Sequence, residues 1–550
     1  MTAILVISAL AMRTAVASAD DPPCTCGDIC VNTTGWWRAD ADFNASNTPI
    51  QHAINNATAG DTICVMDGTY HENVNVTKSH LTIRSEKGPS VTTVSASLNP
   101  DEHVFNITDQ TNVTLQGFEI RDARGTSQSV AGIYMNNACE CNISDNIVTD
   151  IISATGWFND AYGIWLEDSS DNSFGSSTSV YNLSSKNWFA YGIYLGYSSN
   201  NTFSSSTSVC NLSAYWDAYG IYLIASSNNT FSSSTDVSFV NATNATLGEA
   251  YGIRLDGSNN TLFDTGSISH IFGAAWYNFY SDENSHGNGV KDCTLFSYPT
   301  TISFTYDNGI GLKSVDTAPP DPAGKLNISK YVNATNVTAN SWIFLNVSYT
   351  DADVSGVEED SLLLYKWNGT ESAWVLANAT GQPNGVNTTG NYVYANVTSF
   401  SQIAPFGNPD TTPPGNVTGF TAAAGDGQVS LSWTNPGDAD FVGTKVIRKQ
   451  GSYPTNVNDG TEVCNRTKAP GSTDSYTDTG LTNGIAYYYT AFAYDGVPNY
   501  SSADDSARDY ATPTAPTPPV PVPEFNAIGL LALIGILSVV LAVATLRKRD

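Results

Sequence analysis

A dipeptide that returns at nearly constant spacing limits what this chain can become. Gly-Ile recurs at Gly132-Ile133, Gly163-Ile164, Gly192-Ile193, Gly220-Ile221 and Gly252-Ile253, at spacings of 31, 29, 28 and 32 residues. Four of the five begin Ala-Tyr-Gly-Ile, at Ala161, Ala190, Ala218 and Ala250. A second mark follows each of those four: Asn172-Ser173-Phe174, Asn201-Thr202-Phe203, Asn229-Thr230-Phe231 and Asn260-Thr261-Leu262. A third mark, a valine, follows at Val180, Val209 and Val237. A period of about 30 residues means stacked units sharing one core, because one such unit cannot bury its own apolar face.

Each unit holds short β-type runs divided by Ser, Asn and Asp, with no amphipathic helix. The unit is therefore a coil of strands, and coils stack by parallel pairing at about 4.8 Å. This predicts a parallel β-helix. Strand alternation assigns the faces. Ile164 and Leu166 point inward, with Gly163 and Trp165 outward, and Ile193/Leu195, Ile221/Leu223 and Ile253/Leu255 repeat the inward pair. Phe174, Phe203 and Phe231 are expected to stack inside. Asn172, Asn201, Asn229 and Asn260 are expected to form an amide ladder at a turn.

The outward face of the Gly-Ile strand carries Tyr134, Trp165, Tyr194, Tyr222 and Arg254. They form a row with steps of about 5 Å. Trp157, Trp188 and Trp216 sit in the extensions just before it. Exposed flat aromatics mark recognition surfaces, so this row is the candidate contact for a glycan or another surface protein. The alternative is that the extensions fold over and bury it.

The N-terminal segment carries a family likeness. Pro49-Ile50-Gln51-His52-Ala53-Ile54 leads to Ala59-Gly60-Asp61-Thr62-Ile63, then Asp67-Gly68-Thr69-Tyr70 and Glu72-Asn73-Val74. Thr111-Asn112-Val113-Thr114-Leu115 and Gly117-Phe118-Glu119-Ile120 follow. This order resembles the entry of right-handed parallel β-helix proteins of the pectin-lyase-like superfamily. Within it, residues 45–305 resemble archaeal surface proteins with a NosD-type β-helix. The resemblance implies a right-handed coil, with residues 49–57 as a short capping helix.

That superfamily includes polysaccharide lyases, hydrolases and epimerases. A lyase of that kind needs calcium-binding carboxylates beside a basic residue, and a hydrolase needs paired acids. No acidic residue recurs cleanly at one repeat position. Asp160 and Asp217 precede Ala-Tyr-Gly-Ile, but Phe189 stands before Ala190 and Glu249 before Ala250. Glu167, Asp168 and Asp171 read as a solvated turn, and His270 and His286 have no consistent partners. Four Met and six His argue against copper handling. The sequence assigns no catalytic residue, no metal site and no cofactor.

Both ends point outside the cell. Residues 3–12 are apolar and Ala17-Ser18-Ala19 follows, which reads as a signal peptide over 1–19. Pro513 to Pro523 is a proline-rich spacer, extended in character. Ala527 to Leu546 is an unbroken apolar run, expected to form a transmembrane helix, and Arg547-Lys548-Arg549 closes it. Pro523-Glu524-Phe525, the apolar helix and the basic cluster resemble, in that order, the archaeal PEF-CTERM sorting tail over 524–550. That resemblance implies recognition by an archaeosortase, cleavage and lipid attachment. There are 25 Asn-X-Ser/Thr sequences, a density that suggests glycosylation. Nine cysteines in an oxidising exterior favour disulfides; Cys24, Cys26 and Cys30 with Cys64 are the alternative metal set.

The remaining organisation follows. The β-helix is expected over 20–315 and a β-sandwich over 316–409, after the Asp316-Thr317-Ala318-Pro319-Pro320 linker. Residues 410–512 resemble a fibronectin type III domain, through Val429-Ser430-Leu431-Ser432-Trp433, Leu481 and Tyr487 as the tyrosine corner. The fold class is all-β. With 23 Lys+Arg against 52 Asp+Glu and a net charge of −29, a nucleic-acid partner is excluded. The function expected is that of a non-enzymatic archaeal cell-surface protein, structural or adhesive. Its partners are the membrane, an archaeosortase, and envelope glycans or surface proteins. The alternatives are a polysaccharide-acting lyase or hydrolase, or a glycan- or protein-binding module.

Overall fold

The computed structural model describes residues 24–38, 41–96, 100–154, 159–232, 234–296 and 298–517. The predicted signal peptide, Trp157, Pro523-Glu524-Phe525 and the predicted span 527–546 lie outside the described residues. Among those described, no helix is long and apolar enough to cross a membrane. The chain divides into two units, Met1–Asp410 and Thr411–Asp550.

The first unit is a parallel β-helix. The Gly-Ile strands Val130–Asn136, Ala161–Glu167, Ala190–Gly196, Ala218–Ile224 and Glu249–Asp256 pair in parallel and in register, one coil above another. Phe105–Thr108 and Val74–Val76 continue the sheet at one end, and Ala275–Ser281 continues it at the other. Ile133, Ile164, Ile193, Ile221 and Ile253 form one buried column, as the period requires. Burying a side chain of this size contributes roughly 1.5–3 kcal/mol, so the column is a large part of what holds the coils together.

Two further faces complete each coil. One carries Phe174, Phe203, Phe231 and also Phe263, whose rings lie 4.3, 4.4 and 4.7 Å apart and nearly parallel. The other aligns Val148, Val180, Val209, Val237 and Ile268, all buried.

The alternation expected for the Gly-Ile strand breaks at the glycine. Gly163 does not share a face with Trp165. A Cβ on Gly163 would lie 2.2 Å from the Val180 methyl, which belongs to the interior. Gly163 and Ile164 both face inward, and the strand bends there. Tyr162 and Trp165 both face outward as a result.

The ends of the solenoid are closed. Helix Pro49–Asn56 buries Ile50, Ala53 and Ile54 against the first coil, which matches the expected cap. Glu72 holds the start of that helix, accepting from the N–H groups of Ile50 and Gln51 at 3.0 and 2.9 Å. Cys24–Cys30 closes the segment before the N-terminal hairpin onto its first strand, and Cys26–Cys64 ties that segment to the first coil. At the other end the pairing turns antiparallel. Gly289–Leu295 pairs with Thr300–Asp307, which pairs with Trp342–Ser348 and then Tyr392–Val397. Residues 316–409, expected as a separate sandwich, add their strands to the solenoid's own sheets. Their inward residues, such as Ile343, Leu345 and Val393, share the solenoid core.

The described residues of the second unit, taken by itself, form two antiparallel sheets of three and four strands around Trp433, Leu431, Tyr489 and Ala491. The Tyr487 hydroxyl accepts from the Thr482 N–H at 3.2 Å.

Candidate functional site

The bend at Gly163, Gly192 and Gly220 brings two outward rings per coil where the sequence suggested one. Tyr162, Tyr191, Tyr219, Tyr251 and Tyr277 form an inner column. Successive ring centroids lie 4.7, 4.8, 5.4 and 5.8 Å apart, with interplanar angles no larger than 11°. This is the strand spacing of the sheet expressed in side chains. Beside it stands the expected row: Tyr134, Trp165, Tyr194, Tyr222 and Arg254 are consecutive in register, and Tyr280 extends them. All six are half-buried. Trp188 and Trp216 lie edge to face at 6.4 Å in the extensions and leave the row partly open.

The two columns are one apolar cluster, separate from the core. Its polar ends are tied to carboxylates. The Tyr162 hydroxyl donates to Asp160 at 3.1 Å, Tyr219 to Asp217 at 3.0 Å and Tyr251 to Glu249 at 2.6 Å. Tyr222 donates to Asp256 at 2.7 Å, and the Trp165 indole N–H to Glu167 at 3.2 Å. The acids before Ala-Tyr-Gly-Ile, irregular in the sequence, thus act alike, each accepting from the tyrosine two residues on. Phe189 breaks the series, and its backbone N–H donates to Asp160 at 3.2 Å instead.

Desolvation sets the charges. Burial pushes the Asp160 carboxyl up to about 6, against the pull of its two hydrogen bonds. Burial also raises Glu167 and Asp217. His103 stacks on Tyr134 at 4.3 Å, and burial pushes its pKa down to about 4. Its Nδ1 accepts from the Ala131 N–H at 3.0 Å.

Arg254 occupies the ring column as a cation. Its guanidinium lies 4.7 Å from the Tyr251 ring centroid, 5.2 Å from Tyr280, 5.6 Å from Tyr222 and 5.7 Å from Tyr219. Asp256 pairs with it at 3.0 Å. The inner rings stack face to face, whereas in the outer row Trp165, Tyr194 and Tyr222 meet edge to face at 88° and 74°. With carboxylates beside its half-buried rings, the strip is suited to hydroxyl-rich or cationic groups.

The turn after the Gly-Ile strand holds the amide ladder. Asn172 Oδ1 accepts from the Cys141 N–H, Asn201 from the Asn172 N–H, and Asn229 from the Asn201 N–H, at 2.9–3.0 Å. Asn260 is not in this ladder. It is exposed, with φ of 53°, at the same turn position as Asp171, Asn200 and Asn228. Thr261 takes the ladder step, and its N–H donates to Asn288 at 2.8 Å. Asn tolerates the left-handed backbone that the turn needs, which is why two adjacent asparagines serve two different purposes. A serine ladder runs alongside: Ser198 Oγ accepts from Ser169 N–H, Ser226 from Ser198, and Ser258 from Ser226. The recurring Ser-Ser-Asn/Asp-Asn at 169–172, 198–201 and 226–229 was its signal.

A scan against protein-family models finds no match, and a search of the curated proteins finds none either. Among solved structures, the chain is similar to the full-length tailspike protein 2 from Escherichia coli O157:H7 bacteriophage CAB120. That match has 12% identity and a TM-score of 0.32, and covers 88% of this chain and 70% of that one. Pectin methylesterase PemA from Erwinia chrysanthemi matches at 12% identity and a TM-score of 0.20, over 49% of this chain and 91% of that one. The β-1,2-glucanase from Parabacteroides distasonis matches at 16% identity and a TM-score of 0.15, over 41% of this chain. The match spans 38% of the glucanase's length.

Proposed function

We propose that the chain is a secreted, membrane-tethered protein of an archaeal cell surface, with a structural or adhesive role and no chemistry of its own. The two disulfides at the N-terminal cap carry this reading, because such bonds persist outside the reducing cytosol. The signal-like run at 3–12, the PEF-CTERM-like tail and the fibronectin-like strand order of the second unit support it. In this reading an archaeosortase processes the tail, and the strip from Tyr134 to Arg254 contacts envelope glycans or surface proteins. Protease shaving of intact source cells tests it. The expected result is release of peptides from 24–517, with a mature N-terminus at Asp20. Recovery of the intact chain from the cytosol with every cysteine reduced counts against it.

A second reading, action on a polysaccharide, is favoured by Asp160. A carboxyl held at about 6 in a desolvated aromatic strip has the property a general acid needs. Incubation with uronate-containing and neutral polysaccharides tests it. New reducing ends that vanish in Asp160→Asn favour this reading, and an absence of product release removes it.

A further inference from the structure

The strand Thr235–Ala242 departs from the coils before it at one outward residue. Phe239 holds a left-handed backbone, with φ of 54°. The register aligns it with Asn182 and Asn211, which take φ of 58° and 57° at the same step of their own coils. Asn accepts that conformation at little cost, and a bulky ring does not. Phe239 is also 52% exposed, so the core does not require its ring.

The ring has company on the surface. On the next coil His270 stacks on Phe239 at 4.4 Å, and Phe296 lies 4.3 Å from His270. Phe272, two residues after His270, is 54% exposed, and Phe296 is 50% exposed. Cross-strand stacking gives Phe239 a neighbour on one side. It explains neither the left-handed backbone nor the open side of three phenylalanines. Apolar surface grouped in this way is normally covered by something.

Asn241 stands among these rings. Alternation along the strand puts Phe239, Asn241 and Thr243 on the outer face, while Val240 and Ala242 are buried. The register partner of Asn241 on the next coil is Phe272. One ring therefore precedes the amide by two residues, and another stands on the adjacent strand about 4.8 Å away. Asn241 and Thr243 are both exposed, and Asn241-Ala242-Thr243 is an Asn-X-Ser/Thr sequence. The Asn241 side chain makes no hydrogen bond to any described residue. Asn211, which opens such a sequence one coil earlier, spends its amide N–H on the Asn182 oxygen at 2.6 Å. A free amide N–H between two uncovered rings matches an attached sugar, which has an apolar face of C–H groups and a rim of hydroxyls for water.

We propose that Asn241 carries an N-linked oligosaccharide whose first sugars cover Phe239 and Phe272. The proposal rests on the reading of the chain as exported and goes beyond it, naming the site and the surface that the sugar protects. A membrane oligosaccharyltransferase supplies the reaction, with a lipid-phosphate-linked oligosaccharide as donor. The Asn241 amide nitrogen attacks C1 of the first sugar and forms the C–N bond. The C1–O bond breaks, and its electron pair leaves with the lipid phosphate. The proton lost from the nitrogen ends on that phosphate, and nothing is oxidised or reduced.

The full chain is purified from source cells, and its glycopeptides are sequenced by mass spectrometry. The expected result is an oligosaccharide on Asn241. Hydroxyl-radical labelling then reads the cover of the rings. Phe239 and Phe272 should be labelled severalfold more in Asn241→Gln made in the same cells than in the wild type. Thr243→Ala, which removes the attachment sequence and keeps the Asn241 side chain, should uncover them equally. Asn200→Gln, at an exposed turn on another face, should leave their labelling unchanged. A bare Asn241 overturns the proposal. If other Asn-X-Ser/Thr sites of that chain carry glycan, the export reading stands without it, whereas a wholly bare chain recovered from the cytosol overturns both. Equal labelling of the two rings in wild type and Asn241→Gln also overturns the proposal, and rings protected in both assign the patch to a protein partner or a second copy.

Discussion

The side-chain oxygen of Asn201 accepts from the backbone N–H of Asn172 at 3.0 Å, one coil away. Its amide nitrogen donates to the Ser169 carbonyl at 3.0 Å. One buried side chain thus satisfies backbone groups that the turn would otherwise strand.

Asn201→Ala is expected to cost about 2–4 kcal/mol, since it leaves a buried N–H and a buried C=O unpaired. Asn260→Gly should change stability by less than about 0.5 kcal/mol, because Asn260 is exposed and Gly accepts its left-handed backbone. Chemical denaturation of the two variants compares them. Equal losses would contradict the reassignment of Asn260.

The Gly-Ile glycines are required by close approach. A Cβ on Gly192 would lie 2.2 Å from a Val209 methyl and 2.5 Å from the Gly220 carbonyl oxygen. Gly192→Ala should destabilise by roughly 1–3 kcal/mol or prevent folding. Pairing it with Val209→Ala, which removes the methyl, should recover part of the loss in thermal unfolding.

How far these features could be read in the sequence depended on whether they were carried by local spacing. The isoleucine column and the Phe174, Phe203 and Phe231 stack were legible because one period sets both. The letters Asn-Thr put Asn260 in the ladder one position too early. The constant eight-residue step from Ile164 to Asn172, and from Ile221 to Asn229, leads instead from Ile253 to Thr261. The inner tyrosine column was hidden because simple alternation put Gly163 and Trp165 on one face, and the bend that defeats it is a packing effect. No local signal marks that Trp342–Ser348 adds to the solenoid's sheet, since that pairing is made with Thr300–Asp307 across a long loop.

Glu72 makes stability depend on pH. Burial pushes its carboxyl up to about 7, outweighing the pull of the Ile50 and Gln51 N–H groups. An acid whose folded pKa is raised stabilises the fold most below its unfolded pKa, and that contribution is lost as pH rises through the folded value. Between pH 4.5 and 7 this loss amounts to about 3 kcal/mol at most. Glu72→Gln should therefore flatten the fall in melting temperature between pH 5 and 8. A wild-type melting temperature that climbs over this window, with Glu72→Gln climbing alike, would contradict the assignment.

The Cys26–Cys64 bond closes a segment with a sequence separation of 38. Cys26→Ser with Cys64→Ser should cost about 2–4 kcal/mol. The loss should fall on the N-terminal cap, so hydrogen exchange should quicken at 29–65 and remain slow at the Ile193 and Ile221 strands.

Parallel, in-register stacking of the coils is the claim on which the rest depends, and a native thiol allows a direct test. Cys210 is the register partner of Ser238 on the next coil, and Ser269 lies one coil further. Adjacent strands stand about 4.8 Å apart, within disulfide reach, and alternate strands about twice that, beyond it. Mild oxidation of the Ser238→Cys variant should give a bond to Cys210, seen as a cross-linked peptide by mass spectrometry. The Ser269→Cys variant should give none. Cross-linking at Ser269→Cys, with none at Ser238→Cys, would contradict the stacked-coil architecture.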